Sequence, residues 1–425
     1  MKTVIKDAKV RGADGKETLK NINIVDGVIE SISDEITLSG PKIYDAGGKY
    51  ALPGFIDLNC NICDPGYESR ENIQTISQSA AKAGFTSITC SPLTSPVIDN
   101  KTMVMYIKDK AKDLSAVNIF PYGSMSKEGQ GKEMAEIGEM YSAGIVGVSD
   151  GNVSICNANL MRNILIYSSM FDLPVITFCE NPELAACGVM NYGTVSTVAG
   201  LIGKPREAEE TYIARNLILA KHNKGRLHIT HVSTQESVEI IRYAKKMGVN
   251  VTCDTCPHYF TLSENKVDGY NTFAKVNPPL RTVTDIAAII EGLRDGTIDA
   301  ISTGHSPTFV ENKWSEFDKA DFGISSMETA FALCYTTLVK TGVLTIWQLA
   351  EKLSKSPAKI LKLNTRGEIS PGMDADICII DDKKEYRINA KSFESKAKFS
   401  PHDTDVVTGM VTATFVSGNL VYSLA

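Results

Sequence analysis

Eight short runs rich in β-branched residues, separated by stretches with helical periodicity, restrict the folds open to this 425-residue chain. They are Gly54–Asn61, Thr86–Ser91, Val117–Gly123, Ile145–Asp150, Pro174–Cys179, Arg226–His231, Asn250–Asp254 and Ile298–Thr303. In one intervening stretch Ile286, Ile289, Ile290 and Leu293 stand at i, i+3, i+4 and i+7 behind a Thr284 N-cap. Such alternation builds parallel sheets, because a parallel neighbour is reached only through a long crossover. The fold class is therefore α/β. A (β/α)8 barrel of the TIM type is the expected architecture, with a doubly wound open sheet as the runner-up.

The two ends of the chain read differently. Residues 1–50 alternate in polarity, as in Thr3-Val4-Ile5-Lys6 and Asn23–Ile29, and carry an Asp26-Gly27 turn signal. Asp374–Asp381 and Val411–Tyr422 have the same strand-and-turn character. One small β-sandwich domain assembled from residues 1–50 and 366–425 is expected, flanking a barrel over 51–365.

A hydrophobic content of 43% suffices for a large core. The net charge of −6 leaves no basic stripe to neutralise phosphates, which argues against nucleic-acid and anionic-membrane binding. Met1–Asp7 lacks the apolar region of a secretory signal, and no apolar run approaches a membrane span, so the cytoplasm is the expected compartment. In that setting the 10 cysteines read as thiols or metal ligands rather than as disulfides.

The first run ends in Asn59-Cys60-Asn61. Residues two apart in a strand share a face, so both amides point into whatever the strand lines. An amide oxygen is a hard, weak donor, unlike the imidazole nitrogens that hold zinc, and the plain reading is a pair of hydrogen-bonding groups in a polar barrel mouth. Two CxxC pairs, Cys60/Cys63 and Cys253/Cys256, lie on or just past strands, and a regular strand turns Cys60 away from Cys63. A cysteine-built metal site would draw on Cys63, Cys179 and Cys256. His228 reads as a packed strand histidine and His305 as a loop anchor. Tyr67, Arg70 and Glu71 read as helix-entry and surface residues, Arg281 as a loop cap or partner contact, and Asp150 before Gly151 as a turn residue.

Further pieces make a resemblance specific: Leu52–Leu58, Asp64-Pro65-Gly66, His228-Ile229-Thr230-His231-Val232-Ser233-Thr234, Pro257-His258, Lys275–Arg281, Phe322-Gly323-Ile324, Glu328-Thr329-Ala330 and Pro371–Asp376. In order and spacing the chain resembles the dihydroorotases of the amidohydrolase superfamily, in particular the longer form that often partners aspartate carbamoyltransferase. The resemblance implies a zinc site whose first two histidines fall at Asn59 and Asn61. Its acidic bridging group falls at Asp150, a further histidine at Phe178, a ligand histidine at His231, and the aspartate that activates water at Gly304. It also implies a substrate clamp: an arginine at Cys63, an asparagine at Leu93, a retained asparagine at Asn277 and a histidine at Thr308.

Only Asp150 and His231 remain as metal candidates in that set, whereas a catalytic zinc usually has three protein ligands. Loss of a general base alone lowers a rate by about 10²–10⁴. The resemblance therefore implies a dihydroorotase-like protein of pyrimidine biosynthesis with no catalytic residue and no cofactor. It would act as a scaffold or regulator of aspartate carbamoyltransferase, in a homo-oligomer. The alternative is an active, zinc-dependent cyclic amidohydrolase, dihydroorotase or dihydropyrimidinase-like, with an altered mononuclear site. A third reading is a small-molecule sensor using the same pocket without chemistry.

Overall fold

The computed structural model describes residues 1–12 and 14–424. The chain opens with strands β1 (Lys2–Arg11), β2 (Glu17–Val25), β3 (Val28–Ser33), β4 (Lys42–Asp45) and β5 (Tyr50–Pro53). The barrel strands follow as β6 (Phe55–Asp57), β7 (Phe85–Cys90), β8 (Asn118–Pro121), β9 (Gly123–Ser124), β10 (Val148–Ser149) and β11 (Pro174–Phe178). A parallel pair, β12 (Met190–Asn191) and β13 (Gly203–Lys204), interrupts them. Then come β14 (Arg226–Thr230), β15 (Val251–Thr255) and β16 (Ala300–Ile301). The chain closes with β17 (Ile377–Arg387), β18 (Val406–Val416) and β19 (Asn419–Ser423).

Each of the eight sequence runs contains a strand, the third being broken at Tyr122 into β8 and β9. The strands pair in parallel as β6-β7-β8 and β9-β10-β11-β14-β15-β16. Among the described residues no strand ladder joins β16 to β6, and the closure between last and first strands is made by side chains and loops. Thr303 donates through its backbone N–H and its hydroxyl to Asp57, at 2.8 and 2.6 Å. Just beyond, Cys60 bridges His305 in parallel, and Asn61 N–H donates to His305 O at 2.9 Å. The architecture is a closed (β/α)8 barrel; the open sheet is set aside.

The small domain is one mixed sheet in the order β19-β18-β17-β5-β1-β2-β3, with β4 added beside β1. Its central seam joins the two ends of the chain, since β17 pairs antiparallel with β5 from Ile377↔Pro53 to Ile380↔Tyr50. The sheet folds back on itself. Ala375 N–H donates to Gly27 O and Ile29 N–H to Met373 O, so the β2–β3 hairpin closes over a core containing Ile5, Ile24, Ile377 and Phe415. This is the sandwich expected from the alternating ends.

Helix boundaries follow cap chemistry. The helix Val283–Asp295 is capped by Thr282, which forms a capping box with Asp285, so Thr284 lies in its first turn rather than at its cap. The strand ends also need correction. The first strand stops at Asp57, leaving Asn59 and Asn61 on an irregular extension, and β10 spans only Val148–Ser149. Among the described residues no helix is long and apolar enough to cross a membrane.

Candidate functional site at the barrel mouth

The C-terminal ends of the barrel strands surround a cavity of about 110 Å³ whose lining includes Asn59, Asn61, His231, His258, Asn277 and Gly304. In this fold that face carries the chemistry, because several strand ends converge there. Both asparagines face the cavity despite the early end of their strand. The Asn59 amide N–H donates to Thr230 Oγ1, which lies 3.2 Å from both oxygens of Asp254. Asn61 reaches Ser306 Oγ at 3.5 Å.

Asp254, fully buried at the end of β15, is the hub of the mouth. It accepts from His228 Nε2 at 3.0 Å and from the His231 backbone N–H at 2.9 Å. His228 Nδ1 meets Thr252 Oγ1 at 2.8 Å, so this histidine is held on both sides, as a strand histidine should be. Burial alone would raise Asp254, but the hydrogen bond and charge of His228, with His231, hold it below the usual carboxylate range. The His231 ring turns its Nδ1 to Cys256 Sγ at 3.1 Å and lies 3.8 Å from Asp254 Oδ1. Burial pushes the Cys256 thiol up and the His231 imidazole down. His231, Asp254 and Cys256 form the one three-donor metal-type cluster among the described residues.

The other positions are occupied differently. Asp150 is buried, with Oδ1 accepting from Ser124 Oγ at 2.7 Å, Met125 N–H at 2.7 Å and Ser126 N–H at 3.2 Å, while Oδ2 takes the Ser126 hydroxyl. Asp150 thus ties the strands together and does not join His231 in a cluster. Phe178 is 2% exposed and fills its strand end with an apolar ring. Gly304 has φ +61°, and a Cβ there would lie 2.7 Å from Cys256 Sγ and 3.2 Å from His258 Cε1. Cys63 turns its thiol toward Asn61 O, at 3.8 Å, and Thr308 donates to Asp321 at 2.7 Å. Leu93 packs beside Gly129 and Gly151. Asn277 faces the cavity while accepting from Lys204 Nζ at 2.8 Å, and the same ammonium donates to Glu180 at 2.8 Å.

The structure separates the three cysteines of the minor metal alternative and corrects the readings of Glu71 and Arg281. Cys63, Cys179 and Cys256 do not cluster; the Cys253 thiol points away, to Thr297 O at 3.3 Å, and Cys179 meets Asn216 Nδ2 at 3.5 Å. Glu71 is fully buried rather than a surface residue: it accepts from Ser395 and Thr75 and lies 3.6 Å from His305 Nε2. Arg281 is no partner contact, being 4% exposed and bonded to Ser233 Oγ at 3.1 Å and Asn191 Oδ1 at 2.8 Å, with Glu209 at 3.5 Å. Asp254, Lys204 and Glu209 were missed as site residues. The available signal was Asp254-Thr255-Cys256, whose ends share a side just past a strand that neighbours His231.

The dihydro-orotase-like family model matches residues 48–237. The dihydroorotase of Ruminiclostridium cellulolyticum is 46% identical over 422 residues, covering 99% of this chain and 98% of that protein. That of Acetivibrio thermocellus is 48% identical over 403 residues, covering 95% and 94%. The chain belongs to the dihydroorotase family. Among solved structures the L-hydantoinase of Arthrobacter aurescens superposes with a TM-score of 0.89 at 26% identity, covering 100% of this chain and 97% of that one. The dihydropyrimidinase of Brevibacillus agri, at 22% identity and a TM-score of 0.87, shares the fold. In this dihydroorotase-family barrel five of the six positions that the resemblance assigns to the zinc site, all but His231, do not fit the ion. Two are amides, one is a buried phenyl ring, one is a glycine with no room for a side chain, and Asp150 is committed elsewhere.

Proposed function

We propose that this dihydroorotase-family chain serves pyrimidine biosynthesis without the family's zinc-dependent hydrolysis, as a scaffold or regulator that binds aspartate carbamoyltransferase. The observation that carries the reading is position 304. The water-activating carboxylate is replaced by a glycine in the left-handed region, and the space for its side chain is taken by Cys256 Sγ. The clamp residues support the same reading, since neither Cys63 nor Leu93 can make a charge-assisted bond to a substrate carboxylate. The framework around them is intact, with the Asp57 closure and the buried Arg281 network fully bonded. Mixing the purified chain with aspartate carbamoyltransferase and following size-exclusion elution tests the partner: a co-eluting complex of fixed ratio is expected, and separate elution would rule it out.

A second reading is favoured by the names of the relatives and by the His231–Asp254–Cys256 cluster. In it the chain is an active cyclic amidohydrolase with an altered mononuclear site. The two readings separate on turnover of dihydroorotate or carbamoyl-aspartate by the metal-supplied chain.

A further inference from the structure

We propose a new mononuclear zinc site beneath the barrel mouth, formed by His231 Nδ1, Cys256 Sγ and Asp254 Oδ1. Two of its three donors lie outside the set that the family resemblance assigns to metal. β14 and β15 are parallel neighbours, with Ile229 opposite Cys253, so His231 leaves one strand end beside Asp254 and Cys256 on the next. Asp254 and Cys256 are two residues apart and turn to the same side, whereas Cys253 turns outward. The CxxC spacing therefore supplies one ligand.

The distances suit the ion. Tetrahedral zinc with bonds of roughly 2.0–2.3 Å spaces its donors by roughly 3.3–3.6 Å. Nδ1 lies 3.1 Å from Sγ and 3.8 Å from Oδ1, and the three donor atoms all fall within 4.8 Å of one another. A mixed nitrogen, oxygen and sulfur set is one that zinc accepts. Metal binding displaces the thiol proton, which passes to solvent, and the resulting thiolate and carboxylate together balance the dication.

An outer layer is already built. Asp254 Oδ2 is taken by His228, and the Asn59 amide fixes the Thr230 hydroxyl that serves the carboxylate. The Thr230 hydroxyl lies 3.2 Å from both oxygens and can turn to Oδ2, which leaves Oδ1 with the His231 N–H and one lone pair. Gly304 is part of the design, because any Cβ there would press on the thiol. His231, the one proposed ligand that lines the cavity, is where a small oxygen or nitrogen donor would approach to complete the coordination. This inference does not rest on the non-hydrolytic reading.

The test uses the full chain, stripped by a chelator under reducing conditions and titrated with Co²⁺. One equivalent is expected, with tetrahedral absorption and a cobalt–thiolate charge-transfer band in the near ultraviolet. Cys256→Ser should lose the band, while Cys63→Ser and Cys179→Ser keep it. Asn59→Ala should weaken binding by about tenfold through the outer layer. Circular dichroism melts confirm that each variant is folded, and His231→Gln gives a second ligand deletion. No stoichiometric cobalt in the folded chain, or a thiolate band that survives Cys256→Ser, would overturn the site. Turnover is scored separately, so a bound ion without turnover leaves both proposals standing, and turnover removes only the non-hydrolytic one.

Discussion

A carboxylate at position 304 would have to adopt φ near +61° and displace the Cys256 thiol from 2.7 Å. Left-handed backbone with a Cβ costs about 1–2 kcal/mol, and overpacking a filled site adds about 1–3 kcal/mol. Gly304→Asp should therefore destabilise the chain by about 2–5 kcal/mol in urea unfolding. Adding Cys256→Ala should recover part of that loss, because the two residues share one volume. Additive effects, or a neutral Gly304→Asp, would show that the thiol does not fill the aspartate's space. The glycine was legible in the sequence; the thiol that makes it necessary was not, because contact across strand ends has no sequence period. Asn59 teaches the same lesson. Its identity pointed to a polar mouth, but its link through Thr230 to Asp254 appears only when strand ends distant in the barrel order meet across the mouth.

At the scale of elements, eight strand–helix units and their order could be read from β-branched runs, because burial on both faces leaves an apolar imprint on each strand. Their ends could not. The first strand stops at Asp57 because that carboxylate turns to bind Thr303 across the barrel seam, and no local signal marks a partner 246 residues away. Burial drives the Asp57 carboxyl up to about 6 from an ordinary 3.8. The folded state then holds its proton more tightly than the unfolded chain, so the Asp57 contribution to stability falls as pH rises from about 4 to about 6. A shift of about two units amounts to about 3 kcal/mol over that window. Asp57→Asn, which keeps the shape, should flatten that part of the stability profile in denaturant titrations at stepped pH. Identical wild-type and variant profiles would contradict the assignment.

For the whole molecule, the joining of both chain ends in one sheet was visible from their shared alternation, and it carries a mechanical consequence. Truncation after Thr365 removes β17–β19, bares the β5 edge and opens a core that includes Ile377 and Phe415. The shortened chain should be insoluble or lose its cooperative melt; an unchanged melt would show that the barrel does not need the sandwich. What the molecule does at this scale depends on its barrel mouth. The most direct measurement is steady-state turnover of dihydroorotate and of carbamoyl-aspartate by the full chain supplied with zinc, its metal content counted in the same sample. A rate indistinguishable from the buffer blank is expected; turnover above background that His231→Gln abolishes would contradict the non-hydrolytic reading.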